Sequence, residues 1–187
     1  MSNQSTLTKA VFLDRDGVIN IDTGYVSHSD DFVFIEGVIE ACKAIKEKGY
    51  EIVIITNQSG IARGYFSEDD FMTLTEWMDW SFADKGVDID GVYFCPHHPE
   101  KGLGDYKQVC DCRKPQPGMI ISAQKHLKID LSQSYLVGDK LSDLQAGKNA
   151  GITTNILVRT GKEVTDAAQE AADHVVDSLV NVVELLK

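Results

Sequence analysis

The sequence predicts an α/β domain with a doubly wound parallel sheet, whose two faces are covered by helices to give three layers. Short apolar runs alternate along the chain with stretches whose apolar residues recur at helical spacing. The helical stretches are about a dozen residues long, as crossovers between parallel strands require. The run YEIVIIT, residues 50–56, is almost continuously apolar, as expected of a strand buried on both faces.

Five strands are expected, and each is an apolar run bounded by polar or turn residues. They cover residues 9–14, 50–56, 90–95, 134–139 and 154–158. Five helices alternate with them, over residues 36–49, 67–86, 117–128, 141–151 and 178–187. Ser67 is the expected N-cap of the second helix, and Gly49 and Gly86 mark the ends of the first two.

Length and composition indicate one globular domain, residues 1–187, without a linker or an internal repeat. The formal net charge of −11 makes nucleic acid and anionic membranes poor partners. The first ten residues lack the apolar core of a signal peptide, and no apolar run approaches the roughly 20 residues of a membrane span. We therefore expect a cytoplasmic protein. Nothing in the sequence indicates an obligate partner, so we also expect a monomer.

Polar side chains follow three of the predicted strands, at the edge where parallel sheets place their ligands. Asp14 and Asp16 follow the first strand, Thr56 ends the second, and Asp139 ends the fourth. Asp14 and Asp139 supply oxygen ligands that suit Mg²⁺, and Lys114 supplies a cation for an adjacent anionic group. Taken alone, the two acids after the first strand are equally compatible with a solvated turn.

A cysteine-rich segment, residues 95–112, has the ligand spacing of a metal site. Three thiolates and one imidazole form a closed tetrahedral set for Zn²⁺, which leaves no open position for water. We therefore expect a structural zinc rather than a catalytic one. The predicted ligands are Cys95, His97, Cys110 and Cys112.

Two alternatives to this ligand set stay open. His98 can replace its neighbour His97, and the cysteines can be metal-free. The fourth cysteine, Cys42, lies within a predicted helix and is expected to be an ordinary buried thiol. A zinc at residues 95–112 would anchor a long loop and hold Arg113 and Lys114 at the site.

Four short motifs stand in order along these elements and resemble the haloacid dehalogenase superfamily of phosphotransferases. They are D-x-D-G at residues 14–17, a threonine at 56, a lysine at 114 and G-D-x-x-x-D at residues 138–143. The resemblance implies a Rossmann-like version of the predicted sheet. In this sequence the connections after residue 17 and after Thr56 leave no room for a cap domain. The loops 22–25, 60–66 and 95–113 would then have to cover the site.

The same resemblance implies a two-step phosphoryl transfer. Asp14 would be the nucleophile, and Asp16 would act first as general acid and then as general base. Asp14, Asp139 and the backbone carbonyl of Asp16 would hold Mg²⁺. Thr56 and Lys114 would neutralise charge on the phosphoryl group in transfer.

Longer stretches narrow the resemblance to one family, the D-glycero-D-manno-heptose 1,7-bisphosphate 7-phosphatases. They include FLDRDGVIN, TNQSGIARG, LTEWMDW, CPHHP and CDCRKP. The resemblance implies a phosphatase that removes the C7 phosphate, with the β-anomer favoured, in the synthesis of nucleotide-activated heptose for the lipopolysaccharide core. It also implies that the small sugar phosphate is contacted by Asp22, Thr23, Gly24, Tyr25, Thr56, Asn57, Gln58, Ser59, Arg113, Lys114 and Lys140.

Three interpretations remain open at this point. Asp143 can support the residues around it or serve only as an acid in the first turn of a helix. A related histidinol-phosphate phosphatase would carry the same core motifs, although an amine-bearing substrate favours an acidic lining over Arg113. A non-catalytic binding module held by zinc is the alternative from another class, but such a module needs no nucleophile.

Overall fold

The computed structural model of the chain describes residues 7–187. The first six residues lie outside the described range. They belong to the ten-residue stretch from which we predicted that a signal peptide is absent. Six parallel strands form one sheet in the order β3-β2-β1-β4-β5-β6, which confirms the predicted fold class. The strands are β1 (Lys9–Leu13), β2 (Tyr50–Asn57), β3 (Gly91–Cys95), β4 (Tyr135–Gly138), β5 (Thr154–Val158) and β6 (His174–Val176).

Helices cover both faces of this sheet and complete the three layers. They are α1 (Val38–Glu47), α2 (Ser59–Ala62), α3 (Glu68–Asp84), α4 (Gly118–Leu127), α5 (Leu141–Ala150), α6 (Asp166–Ala171) and α7 (Leu179–Val182). One core contains buried side chains of α1, α3 and α7. The other contains those of α4, α5 and α6.

β1 lies at the centre of the sheet, between β2 and β4. Its side chains alternate between the two cores because successive residues of a strand point to opposite faces. Val11 and Leu13 join the first core, and Ala10 and Phe12 join the second. A strand buried on both faces gives a rigid support, so the residues that follow its carboxyl end are held firmly.

Several local predictions are confirmed. Ser67 accepts a hydrogen bond from the backbone N–H of Asp70, and the two residues form a reciprocal capping box at the start of α3. Gly49 has a φ of 80°, a conformation that favours glycine after a helix. Cys42 is fully buried, and burial raises the pKa of its thiol to about 12.

The carboxyl-terminal third departs from the prediction. The strand β6 and the helix α6 were not expected, and the last predicted helix ends at Val182 and continues as a 3₁₀ turn, Val183–Leu185. The expectation of a single helix between Thr56 and the third strand is wrong, because the short α2 precedes α3. These elements are short, and short elements carry little periodicity.

No domain is inserted over the sheet edge within residues 7–187. The connection from β1 to α1 contains one 3₁₀ turn, Ser29–Asp31, and the connection from β2 to β3 contains α2 and α3. None of the described helices is both long enough and apolar enough to cross a bilayer.

Candidate active site and cysteine cluster

Asp14 follows β1 at the centre of the sheet and is 4% exposed. Its backbone N–H donates to the carbonyl of Val137 in β4, at 3.0 Å, which fixes the residue to the neighbouring strand. The Oδ1 atom of Asp14 accepts hydrogen bonds from Lys114 Nζ and from the backbone N–H of Arg15, each at 2.9 Å. A carboxylate with two donors on one oxygen is held in one orientation.

Lys114 is buried, and its ammonium group has three partners. It lies 2.9 Å from Asp14 Oδ1, 2.7 Å from Asp143 Oδ1 and 3.0 Å from the carbonyl oxygen of Ile55. Burial alone would lower the pKa of Lys114, but the charges of Asp14 and Asp143 outweigh burial and raise that pKa. The side chain is therefore a fixed cation beside Asp14.

The carboxylate of Asp139 lies in a slot between two glycines. A Cβ atom on Gly17 would lie 2.6 Å from Asp139 Oδ2, and one on Gly161 would collide with the same atom. Asp139 Oδ2 accepts the backbone N–H of Lys162 at 2.8 Å, whereas the buried Oδ1 has no hydrogen-bond partner. Burial and the neighbouring Asp14 raise the pKa of Asp139 to about 7.

Asp14, Asp139 and Asp143 form a buried cluster in which one oxygen from each residue lies within 4.8 Å of the others. Their mutual repulsion is a feature that a bound divalent cation would relieve, and so is the Oδ1 of Asp139, which has no hydrogen bond and only a long ion pair of 3.7 Å with Lys140 Nζ. The cluster therefore fits Mg²⁺. Asp143 both supports its neighbours and serves as an acid in the first turn of a helix, the two roles considered from the sequence. Its Oδ1 pairs with Lys114, and its Oδ2 accepts the backbone N–H groups of Asp139 and Lys140.

Asp16 does not belong to that cluster. Its Oδ1 accepts from Arg15 at 2.9 Å and from Asn20 at 3.0 Å, and its Oδ2 accepts from Gln58 Nε2 at 3.2 Å. Its side chain is 18% exposed, against 5% for Asp14. Asp16 is thus held between fixed donors and still reaches the pocket beside the site.

The pocket beside these residues has a volume of about 290 Å³. Eight of the predicted substrate or catalytic residues line it, together with Gly60 and Lys162. The eight are Asp16, Asp22, Gly24, Tyr25, Asn57, Gln58, Ser59 and Lys140. Lys162 was not predicted. The rule that ligands bind beyond the carboxyl ends of strands could have found it, because it follows β5.

Asp14, Lys114, Thr56, Thr23 and Arg113, which were also predicted, do not line this pocket. Thr56 is buried, and its hydroxyl accepts from Gln58 Nε2 at 2.9 Å. Thr23 is exposed. Arg113 donates from Nη1 to the carbonyl of His97 at 3.2 Å and lines a neighbouring pocket of about 220 Å³ that also includes Lys114.

The backbone of Lys114 is tied to β2. Its N–H donates to Asn57 Oδ1 at 3.0 Å, and the Nδ2 of Asn57 donates to its carbonyl at 3.2 Å. These two hydrogen bonds with the side-chain amide of Asn57 fix Lys114 to the end of β2. Asn57 therefore positions Lys114 in addition to lining the pocket.

The four predicted zinc ligands come together as one cluster. Sγ–Sγ distances are 3.5 Å for Cys95–Cys110, 3.4 Å for Cys110–Cys112 and 2.8 Å for Cys95–Cys112. Zn–S bonds of about 2.3 Å in a tetrahedron would place sulfurs about 3.8 Å apart. Two of the three distances are close to this value, and the third would have to open. The set fits zinc.

The imidazole of His97 belongs to this cluster, with Nδ1 3.5 Å from Cys112 Sγ. The side chain of His98 instead accepts the backbone N–H groups of Glu100 and Lys101. Contact between the thiols of Cys95 and Cys112 lowers the pKa of Cys112 to about 5 and raises the pKa of Cys95. One sulfur is therefore readily ionised, as ligation by a metal requires.

Proteins with similar sequences and structures place the chain in a class. A family model described as "HAD-hyrolase-like" matches residues 111–182. The chain is 59% identical to the "D-glycero-beta-D-manno-heptose-1,7-bisphosphate 7-phosphatase" of Haemophilus influenzae, over 97% of this chain and 98% of the relative. It is 56% identical to the protein of the same description from Escherichia coli K12, over 95% of this chain and 93% of that relative.

A crystal structure described as "D,D-heptose 1.7-bisphosphate phosphatase from B. bronchiseptica complexed with magnesium and phosphate" superimposes with a TM-score of 0.80 at 32% identity, over 95% of this chain and 97% of that one. The fold and the site define a haloacid-dehalogenase-like hydrolase that acts on phosphate monoesters. Within that class, the chain belongs to the D-glycero-β-D-manno-heptose-1,7-bisphosphate 7-phosphatase family. The predicted class and family are confirmed.

Proposed function

We propose that this chain is a Mg²⁺-dependent phosphatase that removes the C7 phosphate of D-glycero-D-manno-heptose 1,7-bisphosphate through an aspartyl-phosphate. The observation that carries the proposal is the buried, fixed carboxylate of Asp14, 2.9 Å from the ammonium of Lys114. A surface acid in a solvated turn would have neither burial nor a fixed cation. The names of the full-length relatives supply the substrate.

Asp14 is the nucleophile of the proposed reaction. Its carboxylate forms a bond to phosphorus as the bond from phosphorus to the sugar oxygen breaks. Lys114 pairs with Asp14 and neutralises charge on the phosphoryl oxygens, together with the hydroxyl of Thr56. The pairing of Lys114 with Asp143 holds the ammonium in place while Asp14 changes its bonding.

Asp16 is the proton donor and acceptor. It gives a proton to the leaving sugar oxygen and then takes one from the water that attacks the aspartyl-phosphate, which frees Asp14 and phosphate. Its exposure to the pocket suits this role better than the buried position of Asp14. Donors from Arg15, Asn20 and Gln58 hold the carboxylate in reach.

Asp14 and Asp139 would hold Mg²⁺, together with the backbone carbonyl of Asp16. The cation supplies positive charge for the phosphate oxygens, which are the groups that gain stabilisation in phosphoryl transfer. The N–H of Lys162 and the two glycines around Asp139 fix that carboxylate before a cation arrives. The relative from B. bronchiseptica is described with magnesium and phosphate, which supports this assignment.

Cys95, His97, Cys110 and Cys112 would hold Zn²⁺ in a structural role. A zinc here would close the loop 95–112, whose last residue lies two positions before Lys114. Arg113, between them, is proposed to bind the phosphate that is not cleaved, because its guanidinium can donate two parallel hydrogen bonds. Product formation would then serve heptose activation for lipopolysaccharide in the cytoplasm, with the enzyme acting as a monomer.

The test is a comparison of kcat/KM for a panel of phosphate esters. The panel contains the α- and β-anomers of the heptose bisphosphate, heptose 7-phosphate and histidinol phosphate, each with and without Mg²⁺. We expect the β-bisphosphate to be the best substrate and turnover to require Mg²⁺. Preference for histidinol phosphate would replace the proposed substrate, and no phosphate release from any ester would leave only a binding module.

A further inference from the structure

Lys162 lies in the segment that follows β5 and contacts two parts of the site at once. Its backbone N–H donates to Asp139 Oδ2 at 2.8 Å, and its Nζ lies 2.9 Å from Asp22 Oδ2. Asp22 belongs to the segment 22–25 that lines the pocket, and its carboxylate also accepts the N–H of Gly24. One residue thus connects a proposed metal ligand to the pocket wall.

Asp22 presents a problem for a pocket that binds an anionic substrate. Its side chain is 11% exposed, so water screens its charge only in part. Each phosphate ester brings about −1.5 to −2 charges at neutral pH. Among residues 7–187, Lys162 is the cation that forms an ion pair with Asp22. Without that pair, the uncompensated carboxylate of Asp22 would face a negative substrate, and Lys140 would be the remaining cation among the pocket-lining residues.

We propose that Lys162 is a positioning residue for substrate binding, which holds Asp22 in one orientation and cancels its charge so that the pocket accepts a phosphorylated sugar. The proposal rests on the proposed function, since it assumes an anionic substrate in this pocket. The ammonium of Lys162 acts through Asp22. Its backbone N–H, which every residue except proline supplies, holds Asp139 independently of the side chain.

Substitution can separate the role of the Lys162 ammonium from the role of its backbone N–H. Lys162→Met removes the ammonium and keeps the backbone N–H on Asp139. We expect KM for the bisphosphate to rise about tenfold, because loss of a partly exposed ion pair leaves the charge of Asp22 unpaired. The value of kcat should change less than about threefold. Affinity for Mg²⁺, measured by titration calorimetry without substrate, should stay within twofold. Lys162→Arg should restore most of the loss in KM.

A double-mutant cycle with Asp22→Asn decides whether Lys162 acts through Asp22. Asparagine keeps the acceptor for the N–H of Gly24 but carries no charge. In the Asp22→Asn background, Lys162→Met should change KM by less than about twofold, because no charge is left to cancel. An undiminished tenfold effect in that background would overturn the proposal and show that Lys162 contacts the substrate phosphate itself.

Arg159→Met is the matched control, because Arg159 lies three residues earlier and pairs with Asp177 at 3.3 Å, with both side chains at least half exposed. It should leave KM unchanged. The cycle is run in parallel with p-nitrophenyl phosphate. Wild-type cleavage of this ester but not of the bisphosphate would reject the proposed substrate, while the cycle still tests the coupling. Wild-type protein that cleaves neither would reject the proposed function, and the present inference with it.

Discussion

The carboxylate site (Asp14, Lys114, Asp139 and Asp143) and the cysteine site (Cys95, His97, Cys110 and Cys112) are built in different ways. The three acids of the first are buried, and residues far apart in sequence meet there because strand ends of one sheet converge. In the second, only Cys95 is buried, and the other three ligands belong to a long connection between β3 and α4. The sheet supports the first site, whereas we expect the second to be closed by the proposed zinc.

Because the two sites are built differently, they should respond differently to the loss of a side chain. Loss of a group from the carboxylate site should change chemistry or cation affinity and leave the fold intact, since the sheet does not depend on it. Loss of a ligand from the cysteine site should change the stability of the loop first and activity second. The two sites are joined covalently by Arg113 and Lys114.

Asp14→Asn should give the largest effect on activity. The amide is a poor nucleophile, so kcat should fall by roughly 10⁴-fold or more, since the covalent route is lost. Lys114 keeps its contact with Asp143, so circular dichroism and the melting temperature should match wild type. Retention of more than about one hundredth of wild-type kcat would show that Asp14 is not the nucleophile.

Cys110→Ala should empty the cysteine site of zinc and lower the melting temperature. A loss of about 2 kcal/mol would lower Tm by roughly 4–8 °C in a domain of this size. Activity should fall because the loop before Arg113 and Lys114 loosens, yet Mg²⁺ affinity should be unchanged. Cys42→Ala is the control, because it removes a thiol outside the cluster and should keep full zinc content. A zinc-free variant with wild-type Tm and kcat/KM would contradict the structural role.

Gly161→Ala should damage the carboxylate site alone. The new Cβ would collide with Asp139 Oδ2, so the carboxylate must move. We expect Mg²⁺ affinity to fall about 10- to 100-fold, the usual cost of disturbing a group that orients a metal ligand. Calorimetric titration with Mg²⁺ measures this, and zinc content should not change. Equal affinities for the variant and for Arg159→Ala, its exposed neighbour, would show that the slot does not orient Asp139.

Arg113→Ala should give the most selective effect on activity. For the bisphosphate, kcat/KM should fall by roughly 1.5–3 kcal/mol, or about 10- to 150-fold, because charge-assisted bonds to the second phosphate are lost. Heptose 7-phosphate should be affected much less, and Arg113→Lys should recover only part of the loss. An equal fall for both esters would indicate that the bond from Arg113 to the carbonyl of His97 supports the loop instead.

Residues at the carboxyl ends of buried strands were the predictable part of the site. Asp14, Thr56 and Asp139 could be placed because β1, β2 and β4 are strongly apolar and parallel, so their ends must share an edge. Lys162 follows β5 but was missed because it belongs to no recognised motif. Its role depends on contacts with Asp139 and Asp22, and tertiary contacts of that kind leave no local pattern.

The fold shows the same division. Crossovers with long helices were predicted correctly, whereas β6 has three residues and α6 has six. The outer strand β6 pairs on one side only, and none of its three residues is buried, so the sequence lacks a long apolar run there. The dual role of Asp143 also lay beyond the sequence, since spacing cannot show that one carboxylate serves both a lysine and a helix start.

The burial of Cys42 has a practical consequence for the chemistry of the other thiols. A thiol with no exposed surface and a pKa of about 12 stays protonated at neutral pH and does not react with a chromogenic disulfide reagent. Cys95 is buried as well and its pKa is raised, so only Cys110 and Cys112 are open to titration, and ligation to zinc would shield them. The number of thiols that react per chain, before and after a chelator is added, therefore counts the fraction of molecules whose loop is closed.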